Sequence, residues 1–327
     1  MTQTLAPTLG TNETTVATGH HLVGSTPVLT TTVPRQFVHR AAVAEVFLTG
    51  WAPVDDKSFS VTAQWPRAHS FFTPISGHYD PMLAAETIRQ VGALLAHTAF
   101  EVPLDHKFLM WDLNYTVAPE YIALGSTPAD LELDVVCSEI RLRGRKLARL
   151  RYEAAIRHRG QVIATGGASY TCTSAEAYRR LRAAHLDATP GPVDLGAPVP
   201  PRSVGRALAS DVVLSPGDRP DRWQLRVDID HPILFDHHND HVPGMVLLEA
   251  ARQAAQTLEP GGSPTLPASM NSTFHRYAEF GTPCVLQAES LANSTDPADP
   301  VAGVRVTAHQ GGELVFSSLV VNAPLPA

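Results

Sequence analysis

HVPGMVLLEAARQAA, residues His241–Ala255, reads as an apolar helix broken by a few polar positions, and the chain carries that pattern twice. HYDPMLAAETIRQVG, His78–Gly92, repeats its His, Met, Glu, Arg and Gln at the same spacing. The pairs are His78 with His241, Met82 with Met245, Glu86 with Glu249, Arg89 with Arg252 and Gln90 with Gln253, each separated by 163 positions. The flanks agree more loosely. FVHRAAVAEVFLTGW (Phe37–Trp51) precedes the first helix as SVGRALASDVVLSPG (Ser203–Gly217) precedes the second, and FSVTAQWPRAHSFF corresponds to WQLRVDIDHPILFD. Downstream, IRHRGQVIATGGASY and VTAHQGGELVFSSLVV both read as hairpins with a glycine turn between β-rich arms. Self-similarity on this scale means two copies of one structural unit.

Each copy runs strand, strand, one apolar helix, then several strands. A single helix of about four turns cannot bury itself. The economical solution is an α+β fold in which an antiparallel sheet curls around each helix, as the alternation in LELDVVCSEIRLRGRKLARLRYEAAIRH suggests. Asp80 before Pro81 is a helix-start signal, with Pro243 and Gly244 at the matching point of the second copy. The expected organisation is a poorly ordered threonine-rich leader (1–33), a first repeat (34–172), a linker rich in Pro and Gly (173–203) and a second repeat (204–327).

The bulk composition narrows the function. The chain has 327 residues, 44% of them hydrophobic and 17% charged, with a net charge of −7. That balance argues against a nucleic-acid surface, which needs clustered positive charge. No apolar run reaches the roughly 20 residues that span a membrane, and the N-terminus has no signal-peptide pattern. Three scattered cysteines, Cys137, Cys172 and Cys284, fit a reduced cytoplasmic setting.

On each helix the Glu, Arg and Gln are three or four residues apart and share a face. An exposed Glu–Arg pair would be the plain explanation, worth a few tenths of a kcal/mol. The apolar surroundings, GMVLLEAA, instead put Glu249 in a protected interior, where desolvation would move a carboxylate pKa toward neutrality and suit it to general-base work. Arg252 and Arg89 would bind an anion, and the backbone N–H groups at Gly244 would polarise a carbonyl. These parts point to acyl chemistry with an anionic co-substrate.

FDHHNDHVPGMVLLEAARQAA, together with FVHR and the duplicated Glu helix, resembles the A-factor biosynthesis family, the γ-butyrolactone signal synthases of actinomycetes. The resemblance spans about Pro34 to the C-terminus. More distantly, the helix is similar to β-hydroxyacyl carrier-protein dehydratases, whose fold is the hotdog. The resemblance implies a double hotdog that condenses a β-ketoacyl thioester on acyl carrier protein with dihydroxyacetone phosphate, with no cofactor. It makes Glu86 and Glu249 the carboxylates to test and Arg252 the matching basic residue. From the residues themselves, Glu86 or Glu249 is read as the catalytic base that takes the hydroxyl proton, and Arg89, Arg252, Gln90, Gln253, His78, His241 and Gly244 as binding substrate. Hotdog sites form between paired units, so residues of both copies are expected together, and further homo-oligomerisation is left open.

Competing readings are a dehydratase or thioesterase acting on acyl thioesters, and a non-catalytic acyl or butyrolactone sensor. Asp236, His237, His238, Asp240 and His241 are metal-ligand types, but the matching stretch of the first copy, TPISGH, keeps only the His; the loop is read as shaping the site, with no metal. RLRGRKLARLR (Arg141–Arg151) alternates Arg141, Arg143 and Arg145 on one strand face, either as solvated surface or as a dock for an acidic carrier protein. Trp51, Trp65, Trp111 and Phe72 are expected in the core.

Overall fold

The computed structural model describes residues 31–144, 146–186, 195–259, 265–291 and 302–326. Most of the leader, Arg145 and the middle of the linker lie outside the described residues.

Twelve strands form one antiparallel sheet in the order β1-β2-β4-β5-β6-β3-β9-β12-β11-β10-β8-β7. The first half comprises β1 (Leu48–Pro53), β2 (Ser58–Trp65), β3 (Lys107–Val117), β4 (Ala129–Arg143), β5 (Lys146–His158) and β6 (Gln161–Thr173). The second half comprises β7 (Leu214–Pro216), β8 (Arg222–Leu225), β9 (Thr265–Phe274), β10 (Cys284–Leu291), β11 (Gly303–Gln310) and β12 (Glu313–Pro324). Reading inward from either edge gives the same succession, which is the sequence repeat expressed as topology. The halves join where β3 pairs with β9, and Asn114 faces Asn271 at the centre of that ladder. The two copies therefore share one sheet, related by a pseudo-twofold axis.

Helices α1 (Met82–Thr98) and α3 (Gly244–Thr257) lie in the concave faces of their own halves, and nearly every side chain of either helix is buried. The sheet curls around each helix as the repeat predicts, and the whole is the double hotdog that the family resemblance implies. At the start of α1 the Asp80 carboxylate accepts from the Met82 N–H at 2.9 Å, so Asp80 caps the helix as its sequence suggests. Close helix-to-sheet packing requires glycine at two points. A β-carbon at Gly166 on β6 would lie 2.7 Å from Ile88 Cδ1 of α1, and one on Gly92 of α1 would lie 2.5 Å from the Tyr152 hydroxyl.

The hairpin turns fall at Arg159–Gly160 and Gly311–Gly312, all with positive φ. Between the halves runs α2 (Ala175–Leu186), packed through Tyr178 and Arg182. Trp65 and Phe72 are core residues and Trp51 packs against the core, but Trp111 is exposed, its indole N–H donating to the Thr171 hydroxyl at 2.6 Å. Trp111 has the parity of the buried Leu113 and Tyr115, but a bulge between Met110 and Asp112 breaks the alternation of β3 and leaves Trp111 on the outside, so the expectation of a core tryptophan there is corrected. The three cysteines are free and buried, and burial pushes each thiol up to about 12.

Candidate functional site

The polar residues shared by both helices form two matching clamps. Glu86 is wholly buried and accepts from Arg89 (Nε 2.9 Å, Nη2 2.7 Å), from Arg40 (Nε 3.0 Å) and from Gln90 (2.6 Å). Glu249 is equally buried and accepts from Arg252 (3.0 and 2.9 Å), Arg206 (2.8 and 2.6 Å) and Gln253 (2.5 Å). Gln90 also ties down the segment before β1, donating to the Glu45 carbonyl and accepting from the Phe47 N–H. Gln253 does the same at Asp211 and Val213.

The outer arginines also stitch the copies together. Arg40 donates to the Ile233 carbonyl at 3.1 Å, across the pseudo-twofold axis, and Arg206 donates to the Phe71 carbonyl at 2.5 Å. His69 and His231 form a further matched pair, each accepting two backbone N–H groups and facing Glu45 and Asp211 respectively.

These contacts correct the expected electrostatics. Burial alone would raise both carboxyl pKa values, but Arg40 and Arg89 on one side, and Arg206 and Arg252 on the other, outweigh it and hold each Glu down at about 2. Each carboxylate thus carries a full charge at neutral pH with its lone pairs occupied.

One large cavity, about 980 Å³, opens beside the first clamp and against the start of α3. Its apolar wall includes Ala93, Met110, Leu113, Leu247, Leu248 and Phe274, and Arg35, Arg89, Lys107, Arg179 and Arg276 supply positive charge. The FDHHNDH loop forms much of the remainder, so residues of both copies meet here. A second pocket, beside the start of α3 in the other half, holds only about 10 Å³.

Of the predicted residues, the structure brings Arg89, His241 and Gly244 to the cavity. Glu86, Glu249, Gln90, Gln253 and Arg252 do not line it, and His78 sits on a surface turn with its Nδ1 3.1 Å from the Ser76 carbonyl. The twin arginines differ: the Arg89 side chain is 18% exposed and that of Arg252 is 3%.

Within the loop, Asp240 accepts from His241 Nδ1 (2.8 Å), the Tyr178 hydroxyl (2.8 and 2.9 Å) and Arg182 Nε (3.2 Å). Burial opposes ionisation of Asp240, yet these donors hold it well below the usual carboxylate range. Arg182 also pairs with Glu279 and lies 4.2 Å over the Tyr277 ring, fastening α2 to the loop. Asp236 is taken by Arg40, the Ala41 N–H and His237. Among the described residues no group of three His, Cys, Asp or Glu side chains is arranged to hold a metal ion.

Several lining residues have no signal in a search for shared motifs, because they occur in one copy only. Lys107, Tyr178, Arg276 and His39 are of this kind. The aligned FVHR and SVGR contain the one available clue: Arg40 and Arg206 agree, while His39 faces Gly205.

Fold and site together define a double-hotdog protein with a large cavity lined by both apolar and cationic side chains. The chain belongs to the A-factor biosynthesis family, whose hotdog domain matches residues 25–174 and again residues 188–320. It is 58% identical to a 2-oxo-3-(phosphooxy)propyl 3-oxoalkanoate synthase of Streptomyces virginiae, over 89% of this chain and 98% of that one. A protein of the same name from Streptomyces coelicolor is 44% identical over 87% of this chain and 89% of its own. Among solved structures, a Lactobacillus plantarum protein assigned as an oleoyl thioesterase superposes with a TM-score of 0.50 at 11% identity, covering 84% of this chain and 99% of that chain, a likeness of fold.

Proposed function

We propose that this chain is an acyltransferase that moves a β-ketoacyl group from a carrier-protein thioester to a hydroxyl of dihydroxyacetone phosphate. The product is a 2-oxo-3-(phosphooxy)propyl 3-oxoalkanoate, a precursor of a γ-butyrolactone-type signal, and the reaction runs in the cytoplasm. The observation that carries the reading is the large cavity whose lining combines apolar side chains with several cationic ones. The β-ketoacyl chain is apolar with a polar end, and the acceptor is a small phosphate dianion. The names of the Streptomyces relatives support the same reaction.

In this reading the acyl chain lies along Met110, Leu113, Leu247 and Leu248. Arg89 and Lys107 hold the phosphate, the cation role expected of the helix arginines, now confined to the first copy. Backbone N–H groups at Gly244 and Met245, at the positive end of α3, stabilise the thioester oxyanion. His241, steadied by Asp240, hydrogen-bonds the acyl end. Glu86 and Glu249 serve as charged anchors that set the arginines and the segments before β1 and β7, and Gln90, Gln253 and Arg252 belong to those anchors. The carrier protein docks on the β4–β5 hairpin, where Arg141 and Arg143 are exposed and Lys146 acts on Asp105, next to the cavity residues Leu104 and His106.

The test is to incubate the protein with a β-ketoacyl carrier protein or pantetheine thioester and dihydroxyacetone phosphate, and to look for the phosphorylated ester by mass spectrometry. Product that depends on both substrates supports the reading. Hydrolysis or dehydration without the triose phosphate refutes it.

A further inference from the structure

We propose that His39 is the general base of this acyl transfer, taking the proton of the attacking hydroxyl on Nδ1 while His97 fixes the opposite side of its ring. The inference rests on the acyl-transfer reading above.

Three observations carry it. The first is the backbone. His39 ends a 3-10 turn with φ 53° and ψ 51°, in the left-handed region, and its counterpart Gly205 has φ 68° and ψ 27°. The second copy fills the position with the residue that this conformation favours. The first copy keeps a side chain there against that preference, as happens where a site needs the group.

The second observation is the tautomer. His97 Nδ1 lies 2.6 Å from the Val102 carbonyl oxygen, which can only accept, so the proton of His97 is on Nδ1. His97 Nε2 then carries a lone pair and accepts from His39 Nε2 at 2.7 Å. The proton of His39 is thereby fixed on Nε2, and its Nδ1 lone pair has no protein partner among the described residues, in a side chain that lines the cavity.

The third is the charge around the ring. His39 faces Arg89 and His97 from α1, Lys107 and Phe108 from β3 and His237 from the loop. Burial, then Arg89, His97, His237 and Lys107, hold the imidazole neutral, with its pKa down at about 3. A phosphate dianion paired with Arg89 and Lys107 cancels part of that charge, so the base strengthens only when the phosphorylated acceptor is present. The phosphate therefore contributes to the rate as well as to binding.

In the step itself, the acceptor oxygen attacks the thioester carbonyl carbon as its proton passes to His39 Nδ1. The tetrahedral adduct then collapses with cleavage of the C–S bond, and His39 returns the proton to the departing sulfur. Ester and free thiol result, with no change of oxidation state. His241 is the rival base, but its partner Asp240 is shared with Tyr178 and Arg182 in the network that fastens the loop.

The experiment compares wild type, His39→Gly, His39→Gln and His241→Gln as full chains. His39→Gly places in the first copy what the second already has, so it is expected to fold and melt within a few degrees of wild type. Its kcat should fall about 100-fold or more, the usual range for a lost general base, with KM for dihydroxyacetone phosphate changed less than threefold. Added imidazole should restore part of the rate. Retention of more than a tenth of kcat in His39→Gly, loss of the fold in both His39 variants, or a large kcat loss confined to His241→Gln would overturn the proposal. If wild type makes no ester, the acyl-transfer reading fails, and imidazole nitrogen NMR still decides the base. An unprotonated His39 Nδ1 whose pKa rises on adding dihydroxyacetone phosphate upholds it; a protonated Nδ1 or an unmoved pKa overturns it.

Discussion

Replacing Glu249 with Gln removes one negative charge from between two buried guanidinium groups while keeping the volume nearly unchanged. Arg206 and Arg252 hold that carboxylate through four hydrogen bonds of 2.6 to 3.0 Å. Their pull lowers its pKa from 4.5 to about 2. At about 1.4 kcal/mol per pKa unit this linkage contributes about 3 kcal/mol at neutral pH. Removing one partner of a buried ion pair typically costs about 3–5 kcal/mol, so the two routes to the number agree. At roughly 2–4 °C per kcal/mol, Glu249→Gln should melt roughly 6–20 °C below wild type at pH 7. The sign of the pH effect follows from the depressed folded-state pKa. The stabilisation is fully present above the unfolded-state value near 4.5 and is lost as pH falls toward 2, so the gap between variant and wild type should close over that window. Calorimetry at pH 7, 4.5 and 3 measures it. Below the melting range, kcat per folded molecule should stay within about threefold of wild type, because a general base would cost about 100-fold or more. A variant that melts like wild type yet has lost activity would refute the anchor role and restore Glu249 as a catalytic group.

Arg89→Gln should raise KM for dihydroxyacetone phosphate about 10- to 100-fold, the loss of one charge-assisted contact; Arg252→Gln should lower Tm and leave that KM unchanged. Reversing Arg141 and Arg143 to Glu should raise KM for a carrier-bound substrate but not for a pantetheine thioester, with the difference fading at high salt. Gly92→Ala places a methyl group 2.5 Å from the Tyr152 hydroxyl and should destabilise by about 1–3 kcal/mol, read by denaturant unfolding.

The fold was legible because its two halves bury the same helix in the same way, and that repetition is written in the spacing of Met, Glu, Arg and Gln. The capping signal at Asp80–Pro81 and the glycine turns were legible for local reasons. The charge state of the carboxylates was not. GMVLLEAA reveals burial, but the counter-charge arrives from Arg40 and Arg206, more than forty positions upstream of each Glu. The site itself was obscured by the signal that revealed the fold. What both copies retain is the device that joins sheet, helix and partner copy, whereas the cavity is lined where the copies differ, at His39 against Gly205 and at DHHNDH against TPISGH. Arg89 and Arg252 have the same sequence context and nearly the same bonds, and only tertiary packing exposes one to the cavity.

The central claim, that one cavity of the duplicated fold does the work, is tested most directly by a crystal structure of the complex with dihydroxyacetone phosphate. The account predicts a single molecule per chain, its phosphate against Arg89 and Lys107 and a hydroxyl directed at His39. A second, equivalent molecule bound at Arg252, or a phosphate held elsewhere with Arg89 untouched, would contradict it.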